Sequence, residues 1–197
     1  ESDIQGIKGR RFEHDITIQS ELACYYESDY ISVPSTFVKN SFINQGIPKE
    51  KLLINSYGID PERFKQIQKD DEIFRVICVA NQSITKGTHY LLEAFSELDL
   101  PNSELMLVGN VKDEIKPYIN KYISNKINIV GAVSQSTLYK YLSNASVFTL
   151  MSIQEGLALV QLQAMSCGLP LICSTNTGAD DFIKDGINGY VIAVRDI

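Results

Sequence analysis

Several ingredients of common functional sites are scarce or missing in this 197-residue sequence. It has no tryptophan, only His14 and His89 as histidines, and four cysteines, no two of them spaced as Cys-x-x-Cys. These residues compose no zinc site, so no metal is expected. The cysteines are expected to be reduced apolar residues of a cytosolic protein. The lack of tryptophan weakens the prediction of a tryptophan-anchored binding surface.

Positive charge is also in deficit, with 18 lysines and arginines against 24 acidic residues and a net charge of −6. Nucleic-acid-binding domains usually carry a basic patch or stripe, so nucleic acid is not an expected partner. No apolar run approaches the roughly 18 residues of a membrane span. The first residues lack the charged and then apolar segments of a signal peptide. With 44% hydrophobic and 21% charged residues, the composition is that of an ordinary globular protein.

Short apolar runs alternate with amphipathic stretches over the last two thirds of the chain. The apolar runs predict strands over 74–79, 105–108, 127–130, 147–150, 171–173 and 189–192. Apolar residues at helical spacing predict helices over 86–98 and 115–123, a third helix that carries Leu138, Tyr141 and Leu142, and a fourth near 158–167. Ser134 is the expected N-cap of the third helix, and Gly168 is expected to end the fourth. The fold class predicted is therefore α/β, a Rossmann-like parallel sheet with helices on both faces.

The first third of the chain is organised differently. Its pattern predicts strands over 30–33 and 52–54 and helices over 15–27 and from a cap at Ser35 to Gly46. The polar stretch 65–72 is interpreted as a connector. Two domains are thus expected, over 1–72 and 73–197. Because the second stops directly after its last strand, the chain is expected to be a piece of a larger protein.

Parallel sheets of this kind bind ligands beyond the carboxyl ends of their strands. The loops expected to line one crevice follow Val79, Val108, Val130 and Leu150. Two of these four loops carry residues suited to binding an anion.

In the first loop, Lys86 precedes Gly87 and a predicted helix, whose N-terminus favours an anion and to which lysine adds a point charge. An ordinary solvated lysine is the alternative. In the last loop, Glu155 and Gly156 precede an apolar helix, where glycine permits close backbone approach and the following amides suit phosphate. A helix cap and a simple turn are the alternative there. His89 falls on the polar side of its helix and is expected to be solvated.

Five segments follow one another in a familiar order. They are SDYISVPS at 28–35, YGIDPERF at 57–64, KGTHYLLEAF at 86–95, SIQEGLALVQLQAM at 152–165 and GADDFIKDGINGY at 178–190. Together they resemble the retaining GT-B glycosyltransferases of family 4 (group 1), in which a Glu-Gly pair opens a Glu-x7-Glu motif. The resemblance implies two Rossmann-like domains facing each other across a cleft. Residues 1–72 would be the end of the N-terminal acceptor-side domain and its linker, and 73–197 the C-terminal donor-binding domain, truncated at its end.

The same resemblance implies transfer of a sugar, with retention, from a nucleotide diphosphate sugar to a glycan or lipid-linked acceptor. No cofactor or metal is then required. Lys86 would contact the donor diphosphate and Glu155 would hold sugar hydroxyls, which makes these two the expected catalytic residues. Gly131 would lie beside the nucleotide base. The residues expected to bind the nucleotide sugar are Asn81, Gly131, Gly156, Leu157, Ala158, Leu159 and Gln163.

A cytoplasmic location is expected for such an enzyme, with the inner face of the membrane as an open alternative. No transmembrane segment is expected in these 197 residues. Peripheral association with the membrane would occur through parts outside them.

Two positions depart from the family pattern. Gln163 stands where the second glutamate of the motif receives both ribose hydroxyls, and a neutral amide weakens nucleotide binding by about 5- to 30-fold. Asn81 stands where the family has an arginine, and losing one such donor lowers rates by about 10²–10³-fold. These departures leave an alternative from another class, a catalytically silent GT-B relative acting as a binding or partner subunit. An epimerase on this fold fits the ordered motifs less well.

Overall fold

A computed structural model describes residues 15–196 of the chain, with side chains described from Thr17 onward. His14 lies outside the described residues. The described residues cluster into two compact units, which divide between Ser56 and Tyr57.

The first unit contains two parallel strands and two helices in its described part. The strands are β1 (Ile31–Val33) and β2 (Leu52–Ile54), and the helices are α1 (Asp15–Glu27) and α2 (Thr36–Asn44), followed by a short 3₁₀ turn at Lys49–Lys51. Ser35 caps α2 by accepting a hydrogen bond of 3.2 Å from the Val38 amide. Gly46 follows the end of α2 with a φ of 87°. The predicted start and end of this helix are therefore confirmed.

The second unit is built on a six-stranded parallel sheet. Its strands are β3 (Phe74–Val79), β4 (Ser103–Val108), β5 (Ile127–Gly131), β6 (Val147–Leu150), β7 (Leu171–Ser174) and β8 (Gly189–Ile192). Its helices are α3 (Thr88–Leu98), α4 (Lys116–Tyr122), α5 (Leu138–Ser143) and α6 (Leu159–Ser166). Short 3₁₀ turns lie at Asp113–Ile115, Thr175–Thr177 and Ala179–Asp181. The predicted α/β class with a parallel sheet is confirmed.

The order of the strands sets where a ligand can bind. The sheet runs β5-β4-β3-β6-β7-β8, so the chain builds outward from β3 to one edge and then outward from β6 to the other. The two central strands pair in parallel, with Val76 beside Val147 and Ile77 beside Phe148. The order reverses between them, and in sheets of this kind a crevice forms at that reversal, outside the carboxyl ends of the strands. The loops that follow β3 and β6 line it.

Two local predictions are wrong. α5 begins at Leu138 after Thr137, and Ser134 instead starts the turn before it, where its carbonyl accepts the Thr137 amide at 3.0 Å. His89 is only 3% exposed, because its ring packs against the rings of Tyr90 and Tyr118, with centroids 3.9 and 5.4 Å away. The helical periodicity placed His89 on the polar side, but α4 covers that part of α3.

Arg75 joins three segments at the start of β3. Its guanidinium donates to Glu104 at 2.6 Å, to Asp71 at 2.9 Å and to the carbonyl of Asn144 at 2.5 Å. Arg75 is 6% exposed, and the hydrogen bond from it holds the pKa of the Asp71 carboxyl below its ordinary value. This side chain therefore ties the connector to β4 and to the end of α5.

We expect Arg75→Met to lower the free energy of unfolding by about 2 kcal/mol, because the hydrogen bonds to charged partners and to a partly buried carbonyl are lost. Asp71 has a lowered pKa in the folded state, so its stabilising effect is present above its ordinary pKa and is lost as the pH falls through the folded one. The difference between variant and wild type should therefore be full at pH 7 and shrink below about pH 4. Urea unfolding at several pH values measures it. Lys140→Met, at an exposed position of α5, is the control, and an equal loss in both variants would contradict the prediction.

Candidate functional site

The loops that follow β3 and β6 are in direct backbone contact. The Ile153 amide donates to the Thr85 carbonyl at 2.9 Å. Gly87 has a φ of +67°, and a Cβ at this position would lie 1.9 Å from the Met151 carbonyl oxygen. Glycine is needed at this position both for its conformation and for the close approach. Residues that are far apart in the sequence are thus fixed next to each other at the reversal of the sheet order.

This contact brings together the two residues predicted to be catalytic. The Lys86 ammonium group donates to Glu155 Oε1 in an ion pair, and the hydroxyl of Ser152 lies 3.4 Å from the same oxygen. The side chains of Lys86 and Glu155 are 28% and 20% exposed. Desolvation by burial lowers the pKa of Lys86. The pair is therefore partly shielded from water yet open to a ligand.

The Lys86 loop is held by a buried glutamine that sequence reasoning missed. Gln82 is fully buried, and its Nε2 donates to the carbonyls of Ala80 and Val108, both at 3.0 Å. Its Oε1 accepts the Thr88 hydroxyl at 3.0 Å, at the start of α3. One amide thereby fixes the ends of two strands and of a helix. The polar surroundings of Gln82 in the sequence gave no sign of its burial.

A second residue that was missed, Glu114, supports the same loop from the 3₁₀ turn before α4. Its Oε1 accepts the Ile84 amide at 3.2 Å. Within the loop, the Lys86 amide donates to the Ser83 hydroxyl at 3.3 Å. The backbone that leads to Lys86 is thus held by side chains.

The Glu155 loop is fastened to the end of β7 and to the segment that follows it. The Glu155 amide donates to the Asn176 carbonyl at 2.8 Å, and the Asn176 side chain donates back to the Ile153 carbonyl at 2.8 Å. The Ser174 hydroxyl donates to the Ser152 carbonyl at 2.5 Å. These contacts make Asn176 a positioning residue, which the sequence analysis did not single out.

The four residues after Glu155 lead into α6 as the sequence predicted. Gly156 is exposed, Leu157 is buried, and Ala158 stands at the N-cap without a side-chain hydrogen bond to the helix amides. Leu159 is the first helical residue and is 41% exposed. The first-turn amides therefore form the positive helix end that follows Glu155 by a few residues in the chain.

Gln163 connects α6 to the loop that follows β5. It is 5% exposed, and its Nε2 donates to Gln135 Oε1 at 3.3 Å. Gly131, the last residue of β5, has a φ of +79° and accepts the Gly109 amide at 2.7 Å. Gln135, another residue that was missed, thereby links the loop that follows Gly131 to Gln163.

Asn81 lies in the same loop as Lys86 but is exposed. Its Oδ1 accepts a hydrogen bond from Asn110, in the loop after β4, at 3.4 Å. Asn81 therefore sits at the outer margin of the crevice, joined to the neighbouring loop.

The family is decided by sequence. Residues 59–197 match the family described as glycosyl transferases group 1, which is well over half of the chain. This protein belongs to that family. The match includes Lys86 and Glu155 and all the other residues assigned above to the crevice.

Two curated proteins illustrate what this chain is similar to. The amylovoran biosynthesis glycosyltransferase AmsK of Erwinia amylovora is 26% identical over 166 residues, which cover 78% of this chain and 41% of AmsK. The alpha-monoglucosyldiacylglycerol synthase of Acholeplasma laidlawii is 29% identical over 176 residues, covering 83% of this chain and 40% of the synthase. This group 1 glycosyl transferase chain thus spans less than half of either relative.

Solved structures support the fold. Anabaena HepE in complex with UDP-glucose superposes with a TM-score of 0.79 at 20% identity, over 92% of this chain and 54% of HepE. Such neighbours are GT-B glycosyltransferases, so the fold class predicted for this group 1 member is confirmed.

Other features of this group 1 chain bear on ligands. Among residues 15–196, no group of three or more histidine, cysteine or acidic side chains is placed to hold a metal ion. No helix in that same stretch has the length and apolarity that crossing a bilayer demands. A groove of about 590 Å³ lies against α3 and β8, lined by residues such as Leu91, Phe95 and Ile192. Since no described lysine or arginine lines this groove, it is less suited to a diphosphate than the crevice at Lys86.

Proposed function

We propose that this chain supplies the nucleotide-sugar site of a glycosyltransferase that moves a sugar from a nucleotide diphosphate donor to an acceptor. The proposal includes retention at the sugar carbon, as in family 4, and a reaction without a required metal. The observation that carries it is the meeting of Lys86 with Glu155 in the loop that leads to the start of α6, where no side chain caps the helix. The HepE structure, solved with UDP-glucose, adds support from a protein of similar fold.

The chemistry follows from the charges in the crevice. When the bond between the sugar and the diphosphate breaks, negative charge grows on the leaving group and positive charge grows on the sugar ring. The Lys86 ammonium group and the first amides of α6, after Gly156, would stabilise the leaving diphosphate. The Glu155 carboxylate would accept hydrogen bonds from sugar hydroxyls and favour the positive ring. Both groups touch the donor in this proposal, which makes them catalytic residues.

The nucleoside would extend from the diphosphate toward Gly131 and Gln163. Gln163 offers a neutral amide, one acceptor and one donor group, whose Nε2 already donates to Gln135. The residues proposed to line the donor are Asn81, Gly131, Gly156, Leu157, Ala158, Leu159 and Gln163.

The binding site for the acceptor would come from a second domain. We propose that residues 1–72 are the end of an acceptor-side domain with its linker, and that 73–197 form the donor-side domain. The relatives suggest two kinds of acceptor, since AmsK is named for amylovoran biosynthesis and the Acholeplasma enzyme for a glucosyldiacylglycerol. A glycan or lipid-linked acceptor is therefore proposed.

Thermal unfolding with a panel of nucleotides tests the donor site. The full-length protein is heated with UDP, GDP or ADP and with UDP-glucose, GDP-mannose or ADP-glucose. A ligand at about 100 times its Kd should add about 2.7 kcal/mol of stability, and the nucleobase that does so identifies the donor class.

Two variants control this panel. In Lys86→Ala the shift should largely disappear, whereas in Lys140→Ala, which loses an exposed charge on α5, it should remain. A folded protein that shifts with none of the six ligands would contradict the proposal. A shift that is unchanged in Lys86→Ala would place the nucleotide elsewhere.

A further inference from the structure

The two charged groups proposed to bind the donor neutralise each other in this structure. Lys86 and Glu155 form an ion pair, and the oxygen of Glu155 that takes part in it also lies 3.4 Å from the Ser152 hydroxyl. Neither group can be fully engaged by a ligand while this pair persists. Binding of a diphosphate to Lys86 must therefore compete with Glu155.

The competition depends on what else the ligand carries. A nucleoside diphosphate takes Lys86 from Glu155 but brings only more negative charge, which leaves a carboxylate that is one-fifth exposed facing phosphate oxygens. A nucleotide sugar brings hydroxyl groups that donate hydrogen bonds to the same carboxylate. Only the nucleotide sugar therefore gives Glu155 new hydrogen bonds in place of its ion pair with Lys86.

The backbone gives the pair little freedom to separate. The Ile153 amide is bonded to the Thr85 carbonyl at 2.9 Å, and Gly87 lies against the carbonyl of Met151. The Glu155 amide is itself bonded to the Asn176 carbonyl at 2.8 Å. The loops therefore stay together, and separation of Lys86 and Glu155 must occur by rotation of their side chains.

We propose that Glu155 sets the preference of the site for a nucleotide sugar over the free nucleoside diphosphate, by taking back Lys86 whenever no sugar hydroxyl occupies the carboxylate. This inference rests on the proposed function. After transfer the sugar has left, so Glu155 returns to Lys86 and displaces the nucleoside diphosphate product. The same carboxylate thus favours entry of the donor and departure of the product.

Titration calorimetry with Glu155→Gln tests the inference, because the amide keeps the shape of the side chain and removes the charge. We use the full-length protein with UDP, GDP and ADP, and with UDP-glucose, GDP-mannose and ADP-glucose. In the variant, the nucleoside diphosphate should bind about 5- to 30-fold more tightly than in wild type. Its sugar conjugate should gain less or bind more weakly, so that the preference for the conjugate falls.

Two further variants separate competition for Lys86 from general repulsion. Glu97→Gln removes the same charge from an exposed position of α3 and should leave all affinities unchanged. In a Lys86→Met background, Glu155→Gln should no longer tighten the nucleoside diphosphate, because there is no ammonium group to release. A gain that persists in that background overturns the inference.

The outcomes also separate this inference from the proposed function. If wild type binds a nucleotide and Glu155→Gln binds the diphosphate no more tightly, or tightens both ligands equally, the inference is overturned and the donor site stands. If neither wild type nor Glu155→Gln binds any of the six ligands, the proposed function fails and the inference fails with it. Binding of a diphosphate by Glu155→Gln alone supports both.

Discussion

Replacing Lys86 with alanine is expected to lower kcat for sugar transfer by about 10²–10³-fold, the cost of removing one donor aimed at a charge that develops in the transition state. The expectation follows from the placement of the ammonium group beside Glu155, where desolvation lowers the pKa of Lys86. In such a site, partly closed to water, an ion interacts more strongly than it does in bulk solvent. The measurement is the rate of nucleoside diphosphate release by the full-length enzyme, with the acceptor or, as a slower baseline, with water.

The split between kcat and KM distinguishes this role from simple binding. A group that only holds the donor raises KM and leaves kcat unchanged when it is removed, whereas the loss of Lys86, which also acts in the transition state, should raise KM and lower kcat. Lys140→Ala, with an equal change of charge on α5, is expected to keep wild-type kinetics. If Lys86→Ala retains its kcat, the proposed stabilisation of the leaving group is wrong.

Gly87→Ala is expected to lower the free energy of unfolding by about 3–5 kcal/mol, one of the larger effects a single methyl group can have. The φ of +67° already disfavours alanine, and its Cβ would lie 1.9 Å from the Met151 carbonyl oxygen. The obstacle is backbone, so relief requires the two loops to move apart. Because Lys86 and Glu155 lie in these loops, the affinity for the proposed nucleotide-sugar donor should fall as well.

Gly58→Ala is the matched control for that substitution. Gly58 belongs to the same compact unit, but no atom lies within 4 Å of the position a Cβ would take there. Its unfolding free energy should stay within about 1 kcal/mol of wild type. Urea unfolding of the two variants gives both values, and a midpoint for Gly87→Ala equal to that of Gly58→Ala would show that the loops can separate without loss.

The main features of the fold could be predicted from sequence because they depend on neighbours along the chain. The alternation of apolar runs and amphipathic stretches gave strands such as β6 and β8 at the predicted bounds. Ser35 and Gly46 marked the ends of α2 by local rules of capping. The parallel arrangement followed from strand–helix alternation, since such connections are long enough to return the chain to the same edge of the sheet.

What could not be predicted depends on contacts between distant parts of the chain. Gln135, in the loop after β5, is hydrogen-bonded to Gln163 of α6. The residues next to either glutamine in the sequence do not indicate that the two side chains are in contact. Gln82 and Glu114 look like ordinary polar residues until the fold buries one and aims the other at the Ile84 amide. For His89 the error is the reverse. Its position along α3 predicted exposure to solvent, but α4 packs over it and buries it. The periodicity of apolar residues shows which face of a single helix is apolar, whereas the burial of a side chain also depends on the elements that pack against that helix.

The pairing of the two central strands also bears on how the protein folds. β3 lies beside β4, the next strand in the chain, but its other neighbour β6 is about 70 residues away, and distant parallel pairings of this kind form slowly. Lys86 lies in the loop that follows β3, and Glu155 lies in the loop that follows β6, so the two residues come together only when these strands pair. During synthesis, β3, β4 and β5 can therefore pair while the rest of the chain is still leaving the ribosome, before β6 docks. The donor site proposed above would thus be completed only by this slow pairing of β3 with β6.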